Sequence, residues 1–190
     1  MRDTNTAKTA IRVLVLASLA AIFAGPWYTE PGYDWIAHSV SELAGQHTKN
    51  AWIMRGGLLA LGAASIAGFL AFRPGFNVLF AGFGLFIALS ALFPHKPFVT
   101  DRPYSELLDQ VHSICASVAG LCAVLGFVFK ARVAEARAAM LSYALIAAAY
   151  TLVPMLMFSL PAWQGLFQRA LFLSFSIWVL ADGLPRRRDA

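Results

Sequence analysis

The sequence predicts an all-α, polytopic membrane protein: a bundle of six transmembrane helices with a short interfacial helix in the first outer loop. Three observations carry this reading. Of the 190 residues, 59% are hydrophobic and 13% charged, about half the charged fraction of an average soluble domain. The mean hydropathy is +0.65. The apolar residues collect into six runs, each near the roughly 20 residues a helix needs to cross about 30 Å of hydrocarbon. This composition excludes a disordered chain, a nucleic-acid module and an ordinary cytosolic enzyme. The net charge of +5 does not point to nucleic acid, because the basic residues sort to one side of a bilayer. The expected partners are membrane lipids.

The first helix is expected over about 9–27. A basic stretch before it resembles a signal peptide, but the residues near Ala24 and Pro26 make a poor cleavage site, so a retained helix is expected. The second runs over 51–72. Arg73-Pro74-Gly75 turns the chain into the third, over 76–93, which Pro94 ends. The fourth spans about 106–129, the fifth 138–158 with Pro154 near its end, and the sixth 161–181. Small residues at four-residue spacing (Ala60, Ala64 and Gly68; Ala116 and Gly120) read as packing seams. Cys115 and Cys122 lie about 10 Å apart along one helix, too far for a disulfide. No internal repeat divides the chain, so residues 1–190 form one domain.

Orientation follows from lysine and arginine in the short loops. With the N-terminus inside, ten fall on the cytoplasmic side: Arg2, Lys8, Arg12, Arg73, Lys130, Arg132, Arg137, Arg186, Arg187 and Arg188. Five fall outside: Lys49, Arg55, Lys96, Arg102 and Arg169. Both termini are therefore expected in the cytoplasm, across a prokaryotic inner membrane. Trp27, Tyr28, Trp35, Trp52, Tyr104 and Trp163 collect at the outer interface, the depth that suits a ring with a polar edge.

The outer loop over 28–50 is long enough for structure of its own. Glu30-Pro31-Gly32 is turn chemistry. Asp34 is expected to cap a short helix that Gly45 stops. On such a helix His38 and Glu42, four apart, share a face, with Ser39 and Ser41 beside them.

All four histidines (His38, His47, His95 and His112) fall on the outer side or in the outer half of a helix. So do six of the ten acids: Glu30, Asp34, Glu42, Asp101, Glu106 and Asp109. Asp109 and His112 share a face of the fourth helix, with His112 about two turns inside the hydrocarbon boundary. An ionisable group there costs roughly 2.5–3.5 kcal/mol on insertion scales unless it finds partners. His95, Arg55, His38, Glu42, Asp101 and Arg102 are within reach.

One chemistry that suits this set is a zinc-dependent hydrolase acting on a lipid or lipid-linked group. His38, His95 and His112 would be the ligands, with Asp109 a fourth ligand or a partner to one of them. Bound zinc lowers the pKa of its water toward about 7. Glu42 would act as general base, and Arg55 or Arg102 would stabilise an oxyanion or phosphate. The competing reading is a non-enzymatic structural or accessory subunit whose polar cluster only ties helices together. For His47 a solvated loop position is expected, and for Glu30 and Asp34 turn and capping roles. Haem between His95 and His112, and a transport path lined by Pro154, Gln164 and Gln168, are lesser alternatives.

His38-Ser-Val-Ser-Glu42-Leu after a first helix, Phe93-Pro94 closing a third, and a fourth helix containing His112 resemble the six-helix membrane family called Domain of Unknown Function 998. The resemblance runs from the first helix to the sixth. It implies a six-helix bundle with a polar outer site and no established activity. The family often has an acid soon after the proline; here His95-Lys96-Pro97 follows and Asp101 comes later. Intramembrane zinc hydrolases such as alkaline ceramidases offer a looser analogy of site design.

Overall fold

The computed structural model describes residues 4–73 and 75–184. Every regular element among them is helical: α1 Thr4–Phe23, α2 Gly25–Tyr28, α3 Val40–Leu43, α4 Ala51–Ala71, α5 Val78–Leu92, α6 Glu106–Val133, α7 Arg137–Ser159 and α8 Gln164–Trp178. A 3-10 turn, Pro161–Trp163, leads into α8, and a π turn, Val179–Gly183, follows it. Four helices (α1, α4, α6 and α7) are long and apolar enough to cross a membrane. The chain is a multi-pass membrane protein on that ground. α5 and α8 have 15 residues each, about 22 Å of helix.

Caps explain where the helices depart from the hydropathy runs. α5 starts at Val78 because the Asn77 side chain accepts from the amides of Leu79 and Phe80 (3.1 and 3.3 Å). α1 stops at Phe23, and Pro26 sits in the first turn of the separate α2. α6 continues to Val133, so Lys130 and Arg132 lie in its last turn, where cations complement the C-terminal dipole. α7 runs through Pro154. The basic residues Arg186–Arg188 and Arg2 lie outside the described residues.

The six long helices pack in sequence order into a ring: α1 on α4, α4 on α5, α5 on α6, α6 on α7, α7 on α8, and α8 back on α1. The segments 24–50, 93–105 and 160–163 therefore share one end of the bundle. The end of α4, the start of α5, the turn 134–136 and the π turn share the other. That second end is filled by rings. Phe80 meets Trp178 at 4.3 Å and Phe127 at 5.0 Å, and Phe83 meets Phe175 at 4.2 Å. Such contacts add to simple burial. The first end is filled by polar groups.

α4 and α5 approach closely at glycine. A Cβ on Gly62 would sit 2.5 Å from the Gly84 carbonyl oxygen, and one on Gly84 2.6 Å from that of Gly62. In lipid, where no hydrophobic force drives helices together, such close backbone contact supplies the packing. Gly62→Ala is expected to lower the melting temperature of detergent-solubilised protein, by an equivalent of about 1–3 kcal/mol. Gly56, which has open space around its Cβ position, is the control: Gly56→Ala should leave the melt unchanged or slightly raised, read by circular dichroism.

Candidate functional site

The loop over 28–50 folds down onto the ring and is held there by side chains from α4, α6 and α8. Its short helix begins at Ser39, not Asp34. Ser39 Oγ accepts from the Glu42 amide (3.2 Å), and the Ser39 amide donates to Glu42 Oε2 (2.6 Å), a complete capping box. Asp34 instead receives the Ile36 amide at 2.8 Å, and its own amide donates to His38 Nδ1 at 2.9 Å. His38 thus precedes the helix, and the expectation that His38 and Glu42 share a helical face is corrected. The Ser-x-x-Glu spacing that sets the cap outweighs the turn chemistry near Asp34.

Gln168 of α8 holds the N-terminus of α3, its Oε1 accepting from the amides of Val40 (2.6 Å) and Ser41 (3.2 Å). Arg55 of α4 holds the other end, donating to the carbonyls of Ala44 (2.9 Å) and Gly45 (3.0 Å). Arg169 is 2% exposed. Its Nη1 donates to the carbonyls of Trp35 (2.7 Å), His38 (3.1 Å) and Gly165 (3.0 Å), and its Nη2 to the Tyr33 hydroxyl (2.6 Å). Burial pushes the Tyr33 phenol up to about 12 against the pull of that guanidinium, so the phenol keeps its proton. The Tyr33 hydroxyl donates to the carbonyls of His38 and Ser39, each at 3.0 Å. Gly165 lets the loop lie on α8, since a Cβ there would run into the His38 and Trp35 carbonyls.

Gln46 joins this loop to the next. Its amide donates to the His95 carbonyl (2.8 Å), its side-chain nitrogen to the Pro94 and Ser105 carbonyls (3.1 and 3.0 Å), and its Oε1 accepts from the Ser105 amide (2.8 Å). Arg102 pairs with Glu30 through both guanidinium nitrogens and also donates to the His47 carbonyl at 2.5 Å.

Beneath these loops lies the buried centre of the cluster. His112 of α6 is 2% exposed. Its Nδ1 is 2.8 Å from the Ser90 carbonyl and 2.9 Å from that of Phe93. Both oxygens only accept, so Nδ1 carries a proton. The Ser90 carbonyl is available because its helical donor would be residue 94, and Pro94 has no N–H. Nε2 then presents its lone pair to Ser41 Oγ at 3.0 Å. Gln168 Nε2 also approaches that oxygen, at 3.3 Å, which leaves the serine proton to point at His112. The ring of His95 stacks on that of His112, with centroids 5.0 Å apart and planes 10° from parallel. His95 Nδ1 pairs with the Asp109 carboxylate, which also accepts the Lys96 amide at 2.8 Å.

Of the residues picked out in the sequence, His95, Asp109 and His112 come together. His38 turns toward Tyr33 and Phe98, 5.4 and 4.9 Å between ring centres. Glu42 is occupied by its cap and Arg55 by carbonyls, so a general base and an oxyanion donor at those positions are not supported by the geometry. Among the described residues no group of three His, Cys, Asp or Glu side chains could hold a metal ion. The nitrogens of His112 are spent on Ser41 and on carbonyls, and His38 lies apart, so this donor set does not fit zinc. Ser41, Gln168, Gln46 and Arg169 are additions to the site. A capping box was legible at Ser39–Glu42 and places Ser41 in the first turn.

Arg169→Met is expected to remove the guanidinium donor from the Trp35 and His38 carbonyls and from the Tyr33 hydroxyl. The melting temperature should fall by an equivalent of about 3 kcal/mol, with faster protease cleavage within 28–50 than at any other loop, read by mass mapping of the fragments.

A family model described as "Protein of unknown function (DUF998)" matches residues 13–184. No curated protein and no solved structure matches the chain.

Proposed function

We propose that this chain, which belongs to the DUF998 family, is a membrane-embedded serine hydrolase or acyltransferase acting on an ester of a lipid or lipid-linked substrate. The observation that carries this reading is Ser41 Oγ at 3.0 Å from His112 Nε2, with Nδ1 of the same ring anchored on two carbonyls. That is the geometry of a nucleophile and its general base, oriented by a third group. Backbone carbonyls take the place a carboxylate has in the familiar triad.

In the reaction, Ser41 Oγ attacks the acyl carbon while its proton passes to His112 Nε2. The bond to the leaving alkoxide breaks, and His112 returns the proton to it. Water, or a second alcohol, then attacks the acyl-serine with the same proton shuttle in reverse. The imidazolium formed between these steps keeps its Nδ1–H on the Ser90 and Phe93 carbonyls. Gln168 Nε2 is the neighbouring donor for the charge that develops on the carbonyl oxygen. Ser41 is partly exposed while His112 is buried, so the nucleophile stands on the substrate side of its base.

A lipid substrate is supported by the setting. Trp27 and Trp52, 84% and 71% exposed, belong to the aromatic set at this end of the bundle, as residues at a membrane–water boundary do. In this reading α5 and α8 cross together with the four longer helices, giving six spans in one domain. The lysine and arginine distribution supports cytoplasmic termini and an outward-facing site in a prokaryotic inner membrane.

A second reading keeps a specific observation on its side: the polar residues of the cluster bond one another and the loop backbone. The cluster would then only tie helices together. The two readings part on one experiment. A fluorophosphonate probe applied to membranes should label Ser41, shown by peptide mapping, with Ser41→Ala unlabelled and His112→Asn slowed by about 10²-fold or more. A folded wild-type protein that stays unlabelled favours the structural reading.

A further inference from the structure

A second feature lies toward the end of the bundle away from Ser41. A groove of about 450 Å³ runs between α6 and α7, walled by Val124 and Val128, floored by Ala144 and Ala148, and lined by Arg132 from the last turn of α6. From Val124 to Arg132 it follows eight residues of helix, about 12 Å. Thr151, its other polar lining residue, donates its hydroxyl to the Ala147 carbonyl (3.0 Å) within α7. The exposed residues beside the groove are apolar, Leu121 and Leu125 on α6 and Leu141 and Leu145 on α7, so it opens onto hydrocarbon. Arg137, exposed at the first position of α7, precedes the lining residues Met140 and Ala144 by three and seven residues and so shares their face. Among the described residues Glu135, in the turn between the two arginines, forms an ion pair with neither. Two guanidinium groups thus stand at the mouth of an apolar groove.

We propose that this groove binds a phospholipid of net negative charge, its phosphate on Arg132 and Arg137 and the upper part of one acyl chain along Val128, Ala144 and Ala148. Charge complementarity chooses the occupant. A guanidinium matches phosphate oxygens with parallel charge-assisted hydrogen bonds, and basic pockets between membrane helices hold anionic head groups in this way. A choline or ethanolamine head group brings its own ammonium against the two guanidinium groups, which offsets the attraction of its phosphate. The same charges oppose a second copy of the chain. An isologous contact through this face, about an axis normal to the membrane, sets the Arg132 side chains of the two copies at one depth against each other.

The test is lipid retention by native mass spectrometry. The full chain is reconstituted in bilayers of equal parts glycerol, ethanolamine and choline phospholipids with identical acyl chains, then released in mild detergent. The anionic glycerol lipid should be retained over the other two by roughly fivefold or more. Arg132→Gln should bring the three close to parity, and Arg132→Lys should keep most of the preference. Ala148→Leu, which fills the groove without touching charge, should lower retention of the anionic lipid. Arg73→Gln removes an exposed arginine of the α4–α5 turn and should change nothing. Equal retention of the three lipids by the wild-type protein overturns the proposal, as does a folded Arg132→Gln variant with its preference intact. A loss in Arg73→Gln as large as in Arg132→Gln shows diffuse attraction and also overturns it. So does a wild-type dimer that Ala148→Leu dissociates, which puts a second copy in the groove. Should Arg132→Gln fail to fold by circular dichroism, Ala148→Leu decides, unchanged retention counting against the site. Labelling of Ser41 is read separately, so the two readings stand or fall independently.

Discussion

The constraint on which the polar end depends is that a loop lying against the end of a membrane bundle must have its carbonyls and amides satisfied by protein. Two helices, α4 and α8, meet that demand with side chains. Arg169 serves the carbonyls of Trp35 and His38, Gln168 the amides of Val40 and Ser41, and Arg55 the carbonyls of Ala44 and Gly45. A guanidinium among carbonyls and a phenol, without a carboxylate, is costly to bury unless its donors are used. Arg169 uses them to fix the segment that carries Ser41. The same network therefore sets the fold of the loop and the register of its hydroxyl over the imidazole below.

Hydropathy alone makes most of the fold legible. The run over 51–72 becomes α4 almost residue for residue, and that over 138–158 becomes α7. The differences arise where local hydrogen bonds override hydrophobicity. Asn77 delays α5, the break at Ala24 divides the first run, and the last run ends in a π turn. Four helices among the described residues are long and apolar enough to cross a bilayer by themselves, while caps and turns shorten α5 and α8 to 15 residues each.

The site was legible to the extent that helix spacing carries it. Asp109 and His112 lie on one face of α6, and Pro94 leaves His95 at the end of α5, so these three meet. His38 and Glu42 do not share a helical face because the capping box starts the loop helix five residues later than Asp34 would. Ser41 is not legible as a nucleophile, since a serine in a short helix has no sequence signature that separates a nucleophile from a cap. Gln168 and Arg169 act across more than 120 residues of chain, a pairing that no local pattern reports.

The tautomer of a buried ring can thus be written into the main chain of another helix. Where α5 meets Pro94, the proline withholds the amide that would have closed the last helical turn, and the Ser90 oxygen is left for His112. The direction of an imidazole lone pair is then decided by an imino acid eighteen positions upstream, through a donor it lacks. Selection on that proline would look like selection on a turn, while its chemical effect is felt at the base.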